Sequence, residues 1–561
     1  MKKNNIISFS LELGMEILVF IFNILVISSL LFIFKIPITK LNFITSFITT
    51  IMMSFIYCRK KKYNLFRVFL RIFSLMIVLF ASIFLANKCF DLSWDGNSYH
   101  KAAVGELKNG WNPLYENIED FNISKKNSNF IAGTHDIWTN HYAKGQWIYA
   151  ASIYSVTDNI ESGKSINILA VISLFLISLG FLLKYTNPLF AFLISIIASL
   201  NPITIVQLMC YYNDILIYNF IVIELVFIQM IILENKKIFY IGLFITLCIL
   251  INIKFTGLVY SAIIMLIYYI ITLISKKYRA KYFKKLTFLG IFSILIGVCL
   301  IGSSTYLKNY KYENNPFYPL MGENKVDIMT QNQPKIFSQM NRFEKIFYAN
   351  FSYSVNLTSF QDENPVLKIP LTYTKNELTQ FAVPDLRIGG FGVLFGGILI
   401  LSSIINFLGL YFLYSKDRNT FNLIFLTILS IIIFIFILEE AWWARYLPQL
   451  YLFPIISLYI LYYFKQVKIN KIISLFLVYL LLFNSYLIIE NNIIPNIERY
   501  KKINNELVQI STCKNCEIYT TDFNGAMFNI YDVNKQIKVL KKYKNNYSTV
   551  LYNDMIYVYK E

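Results

Sequence analysis

The feature that most constrains this chain is a series of about thirteen apolar blocks, each long enough to cross a bilayer as a helix. A spanning helix needs roughly 17–25 predominantly apolar residues, and no soluble fold needs a dozen such segments. The blocks cover residues 13–34, 41–57, 66–86, 164–183, 187–208, 215–233, 238–253, 258–275, 286–306, 387–412, 421–438, 447–464 and 472–489. The sequence therefore predicts an all-α polytopic membrane protein.

The positive charges indicate how the helices are oriented. The formal net charge is +19, and much of it lies in short clusters between the blocks, at 59–62, 236–237, 276–285, 416–418 and 465–471. All these clusters fall on one side when the helices are counted, and the positive-inside rule makes that side cytoplasmic. This pattern predicts a multi-pass protein of the cytoplasmic membrane. It also makes anionic membrane lipids, and not nucleic acid, the partner of the positive charge.

The opposite, extracytoplasmic side receives the long polar segments. Two are outer loops, at 87–163 and 307–386, and the third is the tail from 490 to 561. Long segments on one face over short turns on the other indicate that a site is built on that face. We therefore divide the chain into a transmembrane catalytic domain, 1–489, and a small extracytoplasmic domain, 490–561. Strand-like runs at 516–521, 537–540, 548–552 and 555–559 make the second an α/β or β domain.

The first outer loop opens with two aspartates, Asp91 and Asp95, followed by Tyr99 and His100. An aspartate at the membrane boundary can act as a general base when partial desolvation raises its pKa. The structural alternative is that either aspartate caps a short helix beginning near Tyr99. A divalent metal bound by Asp91, Asp95 and His100 is a further alternative, but the spacing matches no strong ligand signature. No cofactor is predicted from a motif.

Other ionisable residues are predicted at the outer ends of the helices. His141 and Lys144 lie close together in the first outer loop, and Asp214 lies at the outer turn between the fifth and sixth helices. Lys254 interrupts an apolar stretch, and Arg445 follows a tryptophan pair. For these last two the structural alternative is snorkelling to the interface. The three cations would converge on one anion, for which phosphate is the obvious candidate.

All six tryptophans and all three histidines lie on the outer side. An interfacial aromatic belt explains part of the tryptophan bias, but it does not explain why the cytoplasmic interface has none. Aromatic faces that stack on sugar rings or line a ligand cleft would explain it, and Trp442 is the candidate in the last outer turn. There is no Walker loop, no GxGxxG after a strand and no GxSxG. The substrate is therefore expected to be carried by a lipid or to be outside already.

These features resemble the integral-membrane glycosyltransferases of the C-type superfamily, in the bacterial branch related to protein O-mannosyltransferases and aminoarabinose or galacturonic-acid transferases. The resemblance covers roughly residues 60–465. The motif that carries it is Asp95-Gly96-Asn-Ser-Tyr99, followed by Ala103, Leu107 and Gly110. Weaker likenesses are Lys254-Phe-Thr-Gly257, Asn315-Pro-Phe-Tyr-Pro319 and Gly389-Gly-Phe-Gly392. There are two departures: the second acidic position is Gly96, and the motif follows the third helix instead of the first.

The resemblance implies transfer of a sugar, with inversion, from a polyprenyl-phosphate donor to a lipid, glycan or protein acceptor outside the membrane. Asp95 matches the family's essential loop aspartate and would be the base, with Asp91 and Tyr99 beside it at the substrate. Lys254 and Arg445, with Lys144, would hold the phosphate. His100, His141 and Asp214 would orient hydroxyls, and the tryptophans, Trp442 among them, would pack on the sugar or acceptor.

Two other classes of protein share parts of this pattern. A transporter or flippase of lipid-linked sugars would need charges along a path through the helices, yet the middle of the blocks is nearly free of Asp and Arg. A lipid-linked glycan polymerase or ligase shares the topology and the donor, but the arginine-rich outer-loop patterns of those families are not seen here. The transferase is the interpretation that the sequence favours.

Overall fold

The computed structural model describes residues 3–126, 133, 135–274, 276–327, 332–356, 364–514, 516–551 and 556–560. The described chain is mainly helical. In chain order the helices are α1 (Lys3–Ile33), α2 (Lys40–Lys60), α3 (Leu65–Asn87), α4 (Lys101–Asn109), α5 (Ile118–Ser124), α6 (Asp136–His141), α7 (Gly145–Thr157), α8 (Ser165–Tyr185), α9 (Pro188–Ser199), α10 (Pro202–Gln207), α11 (Asp214–Glu234), α12 (Lys237–Ile251), α13 (Phe255–Ile274), α14 (Lys276–Ile294), α15 (Lys308–Glu313), α16 (Arg342–Phe351), α17 (Lys375–Thr379), α18 (Phe395–Lys416), α19 (Arg418–Ile437), α20 (Leu452–Tyr463), α21 (Lys468–Ser511) and α22 (Met527–Val533).

Nine helices in the described part of the chain are long and apolar enough to cross a membrane. They are α1, α2, α3, α8, α11, α14, α18, α19 and α21, with α8 and α14 lengthened by turns of 3-10 and π geometry. The apolar helices indicate a membrane protein, which confirms the fold class at this coarser level. The count of about thirteen spans and the orientation remain predictions.

One predicted span, 187–208, is divided into α9 and α10 because the chain breaks at Asn201-Pro202. Proline has no N–H to continue a helical hydrogen-bond ladder. The Asn201 carboxamide instead caps α10, accepting from the Thr204 N–H over 3.0 Å. The segment 208–214 follows α10 and leads to Asp214 at the start of α11.

The centre of the bundle is the packing of α1 against α8. Glycines make the two helices approach closely: a Cβ on Gly14 would lie 2.7 Å from Ile177, and one on Gly180 would lie 2.5 Å from Leu11. Ser173 donates a hydrogen bond across the contact to the Gly14 carbonyl over 2.9 Å. Small residues at helix contacts allow this approach within a membrane. The N-terminal helix is therefore integral to the bundle.

The C-terminal domain is built on the end of α21, which has 44 residues and is about 66 Å long at 1.5 Å per residue. The predicted boundary at 489–490 falls inside this continuous helix. Four strands follow, β1 (Cys516–Thr520), β2 (Lys538–Val539), β3 (Thr549–Leu551) and β4 (Ile556–Lys560), in the sheet order β2-β1-β4-β3.

Within this sheet, β1 is parallel to β2 and antiparallel to β4, which is also antiparallel to β3. The four strand-like runs of the sequence are thereby confirmed, although predicted positions Tyr552 and Met555 lie outside the described residues. A disulfide joins Cys513 to Cys516 where α21 meets β1.

Candidate functional site

Five charged side chains from five separate segments meet at one end of the bundle. Asp95 follows α3, Asp214 begins α11, and Lys254 lies between α12 and α13; Asp385 precedes α18, and Arg445 lies between α19 and α20. We call these five residues the Arg445 cluster. The helix ends that carry them are distant in sequence, so only the bundle brings them together.

Arg445 is the centre of this cluster and contacts three carboxylates. Its Nη1 lies 3.2 Å from Asp214 Oδ2 and 3.7 Å from Asp95 Oδ2, and its Nε lies 2.9 Å from Asp385 Oδ1. Lys254 Nζ lies 2.7 Å from the other oxygen of Asp214. Lys254 and Arg445 therefore both contact the Asp214 carboxylate. The predicted convergence of Lys144, Lys254 and Arg445 on a phosphate stays a prediction.

Aromatic rings hold the two cations from the side. The Arg445 guanidinium lies 4.5 Å from the ring centroid of Tyr212 and 4.9 Å from that of Trp443, and Lys254 Nζ lies 4.4 Å from that of Tyr446. A planar, weakly hydrated guanidinium is suited to such stacking. The cations are thus fixed in position by rings as well as by carboxylates.

A small cavity opens beside the cluster, with a volume of about 20 Å³ that matches roughly one water molecule. Its lining combines carboxylates, cations, a histidine and several aromatic rings: Asp95, Tyr99, His100, Tyr142, Ala143, Tyr212, Asn213, Asp214, Ile253, Lys254, Phe255, Leu320 and Arg445. Six residues singled out from the sequence are among them, namely Asp95, Tyr99, His100, Asp214, Lys254 and Arg445.

Burial changes the proton affinity of Asp95, one of the two carboxylates that line the cavity. Burial raises the pKa of Asp95 to about 6; the nearby Arg445 opposes this rise and the Asp385 carboxylate adds to it. Near pH 7 the group is therefore mainly ionised, yet it is a stronger base than an ordinary aspartate. A general base is most effective when its pKa lies near the working pH.

The turn before Asp95 explains why position 96 is a glycine. The Asp91 carboxylate accepts the Ser93 N–H over 2.8 Å, and the Asn97 amide donates to the carbonyls of Asp91 and Ser93 over 2.9 and 2.8 Å. A Cβ at position 96 would lie 1.7 Å from Asp91 Oδ2. Asp91 thus occupies the space that a side chain at position 96 would need.

Asp91 itself lies away from the cavity, in a second set of buried charges. Its N–H donates to Glu161 over 3.1 Å, and Glu161 also contacts Lys101 at 3.2 Å and Lys164 at 2.5 Å. We call Asp91, Lys101, Glu161 and Lys164 the Glu161 cluster. All four residues are completely buried, and burial raises the pKa of Asp91. The chain separates the two aspartates because residues 91–93 are not helical and the helical turns begin only at Trp94.

A hydrogen bond from Trp147 determines the tautomer of the His100 ring. Trp147 Nε1 donates to His100 Nδ1 over 2.7 Å, which assigns the remaining hydrogen of the neutral ring to Nε2. Burial lowers the pKa of His100 to about 3, with the nearby Lys254 adding to this effect. His100 is therefore a neutral hydrogen-bond donor on the cavity wall.

Three other predicted residues are not brought to the cavity. His141 Nδ1 is paired with the Asn309 side chain at 2.8 Å, and Lys144 donates to the carbonyls of Asn140 and Tyr142, both over 2.9 Å. Burial lowers the pKa of Lys144 well below its ordinary value. Trp442 packs against Phe337 with ring centroids 5.0 Å apart. In this structure these side chains support the outer loops that surround the site.

The C-terminal domain packs directly on the loop that carries Asp95. A Cβ on Gly525 would lie 2.7 Å from the Asn97 carbonyl oxygen and 2.9 Å from that of Gly96, and the Phe523 ring lies 5.8 Å from Trp94. Asn529 joins the Glu161 cluster, accepting from Lys101 over 2.6 Å and donating to Glu161 over 2.7 Å. The domain therefore covers the site loop from outside.

Asp532 makes a further contact between the domain and the outer helices. Its carboxylate accepts the Tyr154 hydroxyl over 2.5 Å and the Ile160 N–H over 2.8 Å. Burial raises the pKa of Asp532 to about 6. Hydrogen bonds thus hold the C-terminal domain against the helical part of the chain.

The sequence reasoning missed Asp385, Tyr212 and Trp443. Asp385 is also held by Arg387 at 2.8 Å and accepts the Trp443 Nε1–H over 3.1 Å. The position of Asp385 in the sequence could have indicated it, because Pro384-Asp385-Leu-Arg387 lies in the outer loop just before Gly389-Gly-Phe-Gly392, a motif already singled out.

Metal ligation was the alternative interpretation of Asp91, Asp95 and His100. Within the described ranges, no group of three or more His, Cys, Asp or Glu side chains lies close enough to hold a metal ion. The separation of Asp91 into the Glu161 cluster removes one of the three proposed ligands from the other two.

The chain matches no protein-family model, no curated protein and no solved structure. Its function is therefore argued from the geometry of the Arg445 cluster and its cavity.

Proposed function

We propose that this protein is an inverting glycosyltransferase that moves a sugar from a polyprenyl-phosphate donor to a lipid, glycan or protein acceptor on the extracytoplasmic face of the cytoplasmic membrane. The observation that carries the proposal is one carboxylate, Asp95, with a pKa raised to about 6 in a cavity that also holds two cations. This combination suits a reaction that needs a base and a stabilised anionic leaving group.

Asp95 is the base in this proposal. The acceptor hydroxyl attacks the anomeric carbon of the sugar, and Asp95 takes the hydroxyl proton as the new C–O bond forms. The bond between the anomeric carbon and the phosphate oxygen breaks, and its electron pair leaves with the polyprenyl phosphate. Base and leaving group then act on opposite faces of the sugar, which inverts the anomeric centre.

The leaving phosphate needs positive charge more than it needs an acid, because its oxygens already carry the developing charge. Lys254 is paired with one carboxylate and its side chain is 17% exposed, whereas Arg445 contacts three carboxylates and is 7% exposed. We therefore assign Lys254 to the phosphate. Arg445 orders Asp95 and Asp214 and supplies the second charge of the site.

The neutral groups of the cavity wall bind hydroxyls. His100 offers a donor from Nε2, and the Tyr99, Tyr142 and Tyr212 rings form apolar faces of the kind on which sugar rings pack. Burial keeps all three phenol pKa values above the ordinary range, so each hydroxyl is protonated at pH 7. The wall therefore combines hydrogen-bond donors with apolar surface, as ligand pockets do. At about 20 Å³ the cavity holds roughly one water molecule in this structure, so the proposal requires the site to open when the sugar binds.

The test is release of free polyprenyl phosphate by the full-length protein in liposomes supplied with a panel of polyprenyl-phosphate sugars and a panel of acceptors. Wild type is compared with Asp95→Asn, which preserves shape and removes the base. We expect turnover by wild type and a loss of roughly 10²–10⁴-fold in the variant. Lys254→Ala is expected to lose turnover as well, because its charge no longer meets the phosphate.

Three outcomes separate the alternatives. Equal turnover in wild type and Asp95→Asn would assign the base to another group. Extension of one lipid-linked glycan by another would identify a polymerase or ligase. Movement of intact lipid-linked sugar across the bilayer without release of polyprenyl phosphate would identify a flippase and contradict the transferase.

A further inference from the structure

A second cavity lies at the end of the bundle opposite the Arg445 cluster. It has a volume of about 340 Å³ and is lined by α1, α2, Lys61, Arg71 of α3, Lys184 of α8 and the chain around the start of α12. Helix α11 begins at Asp214 in the site and ends at Glu234, which pairs with Lys184 and Lys236 of this cavity. Its 21 residues span roughly 30 Å, the thickness of a bilayer core. The second cavity therefore belongs to the other membrane face.

The polar end of this cavity has an excess of positive charge. Glu12 and Glu16 both contact Arg71, the Glu12–Arg71 distance being 3.2 Å, and Arg67 lies 3.6 Å from Glu12. Lys184 and Lys236 share the single carboxylate of Glu234, and Lys61 also lines the cavity. Three carboxylates therefore meet five cations, which leaves two positive charges at the mouth.

Three buried polar atoms of the lining, Glu12 Oε2, Glu16 Oε2 and Arg71 Nε, have no hydrogen-bond partner within the described residues. Glu12 Oε2 still faces the Arg71 and Arg67 guanidinium groups at 3.2 and 3.6 Å. Each of the three atoms has less than 1 Å² of accessible surface, so a ligand in the cavity does not reach it. Recognition of a ligand therefore rests on the lysines at the mouth.

Most of the other side chains that line the cavity are apolar, among them Ile7, Leu11 and Met15 of α1. Helix α1 starts at this face, where Lys3 bonds the Thr186 carbonyl, and passes from Ser8 at the mouth to Val19 further in. On α2 the Met53 side chain lines the cavity and is half exposed. The lysines that carry the excess charge lie at helix ends, next to a mainly apolar wall, as an anionic amphiphile requires.

We propose that this cavity binds one anionic diacyl phospholipid, such as phosphatidylglycerol. The phosphate meets the ammonium groups of Lys61, Lys184 and Lys236. One acyl chain follows the apolar wall of α1 and α2. Basic pockets between transmembrane helices bind acidic headgroups on this principle. The site is separate from the Arg445 cluster, and it is independent of the proposed reaction.

The test is native mass spectrometry of the delipidated full-length protein, incubated with phosphatidylglycerol and phosphatidylcholine that have identical acyl chains. The test variant combines Lys61→Ala with Lys236→Ala, and the matched control is Lys60→Ala, because Lys60 precedes Lys61 in sequence but does not line the cavity. We expect wild type and Lys60→Ala to retain phosphatidylglycerol preferentially. The double variant should lose roughly tenfold or more of that preference.

A third variant tests the acyl chain. Met53→Trp fills the apolar depth from a half-exposed position, so it is expected to weaken binding of both lipids without unfolding the protein. Equal binding of the two lipids by wild type, or equal losses in Lys60→Ala and the double variant, would overturn the proposal. Displacement of the lipid by inorganic phosphate alone, with Met53→Trp unchanged, would show a simple anion site and overturn it as well.

Discussion

Two clusters of buried charge lie on either side of the same loop, and they differ in access. The Glu161 cluster is closed: its four side chains are completely buried and Asn529 of the C-terminal domain seals it. In the Arg445 cluster Asp214 and Arg445 are buried and the other three members are partly exposed. Asp95, Asp214, Lys254 and Arg445 line a cavity. Buried charges therefore identify a site only where a substrate can reach them.

The charge balance of the two clusters differs as well. In the Glu161 cluster two lysines meet two carboxyl groups, with Glu161 contacting both lysines and the Asp91 backbone. In the Arg445 cluster one guanidinium is shared by three carboxylates, so Asp95 is held at 3.7 Å, beyond hydrogen-bond distance. Asp95 is thus the loosely held member, which leaves its oxygens able to take a proton.

The largest effect is expected when each of the two aspartates of the loop is replaced in turn by asparagine. Asp95→Asn should lower turnover by roughly 10²–10⁴-fold with little change in Tm, because it removes a base and keeps the shape. Asp91→Asn should act on folding, since the Asp91 carboxylate accepts from the Ser93 and Tyr211 backbones in a closed site. Turnover and thermal unfolding of both variants in one detergent measure this. If the two variants changed turnover and Tm in the same way, the two clusters would not differ in function.

Glu161→Gln should give the next largest effect, and it should be on stability. The substitution leaves Lys101 and Lys164 buried without their shared carboxylate, and breaking a buried pair in this way costs about 3–5 kcal/mol. Thermal unfolding would show the loss. Turnover per folded molecule should stay within a few fold of wild type, because no member of the Glu161 cluster lines the cavity. A normal Tm would mean that the two lysines are neutral or hydrated.

The sequence predicted more of the site than its detailed geometry would suggest. Successive spanning blocks run in opposite directions, so the connections between them alternate between the two faces, and Asp214, Lys254 and Arg445 could be grouped by counting alone. His100 and Tyr99 followed because they adjoin Asp95. Grouping by face is a property of chain length and hydropathy, and these are visible in a sequence.

What the sequence could not predict was the direction of individual side chains. Asp91 and Asp95 would share a face on a helix, but Ser93 and Asn97 bond the backbone into a turn that sends them apart. Lys144 was expected at the phosphate, yet its ammonium is bound by two nearby carbonyls. Asp385 reaches Arg445 from a loop that is distant in sequence. Each outcome depends on local hydrogen bonds or tertiary packing, which spacing alone does not determine.

A smaller effect is expected from pH. Because the pKa of Asp95 is raised to about 6, its base form is lost as pH falls through that value. The turnover of wild type should then decrease about tenfold per pH unit below 6. Asp385 raises this pKa, so in Asp385→Asn the decrease in turnover on the acid side of the pH profile, the acid limb, should move to lower pH. Initial rates across this pH range measure both effects. If the fall in turnover at acid pH stayed at the same pH in Asp385→Asn, or was still present in Asp95→Asn, a group other than Asp95 would cause it.

The smallest effect is expected at the contact between the C-terminal domain and the Glu161 cluster. Asn529→Ala removes a bond to Lys101 and a bond to Glu161, and a buried group left unsatisfied costs about 1–3 kcal/mol. The matched control is Asn546→Ala, at an exposed position of the same domain. Thermal unfolding and limited proteolysis of the tail measure the docking.

Because Asn529 bonds Lys101 and Glu161 and does not itself line the cavity, Asn529→Ala should change turnover only as far as undocking lets the Asp95 loop move. Gly525 packs on the carbonyls of Gly96 and Asn97, so an undocked domain would release the segment that orients Asp95. A modest fall in turnover with an unchanged acid limb would then mean that fewer molecules are docked, each with the same base. If the fall in rate at acid pH moved to another pH, docking would also determine the environment of Asp95. The Glu161 cluster would then contribute to the chemistry of the Arg445 cluster.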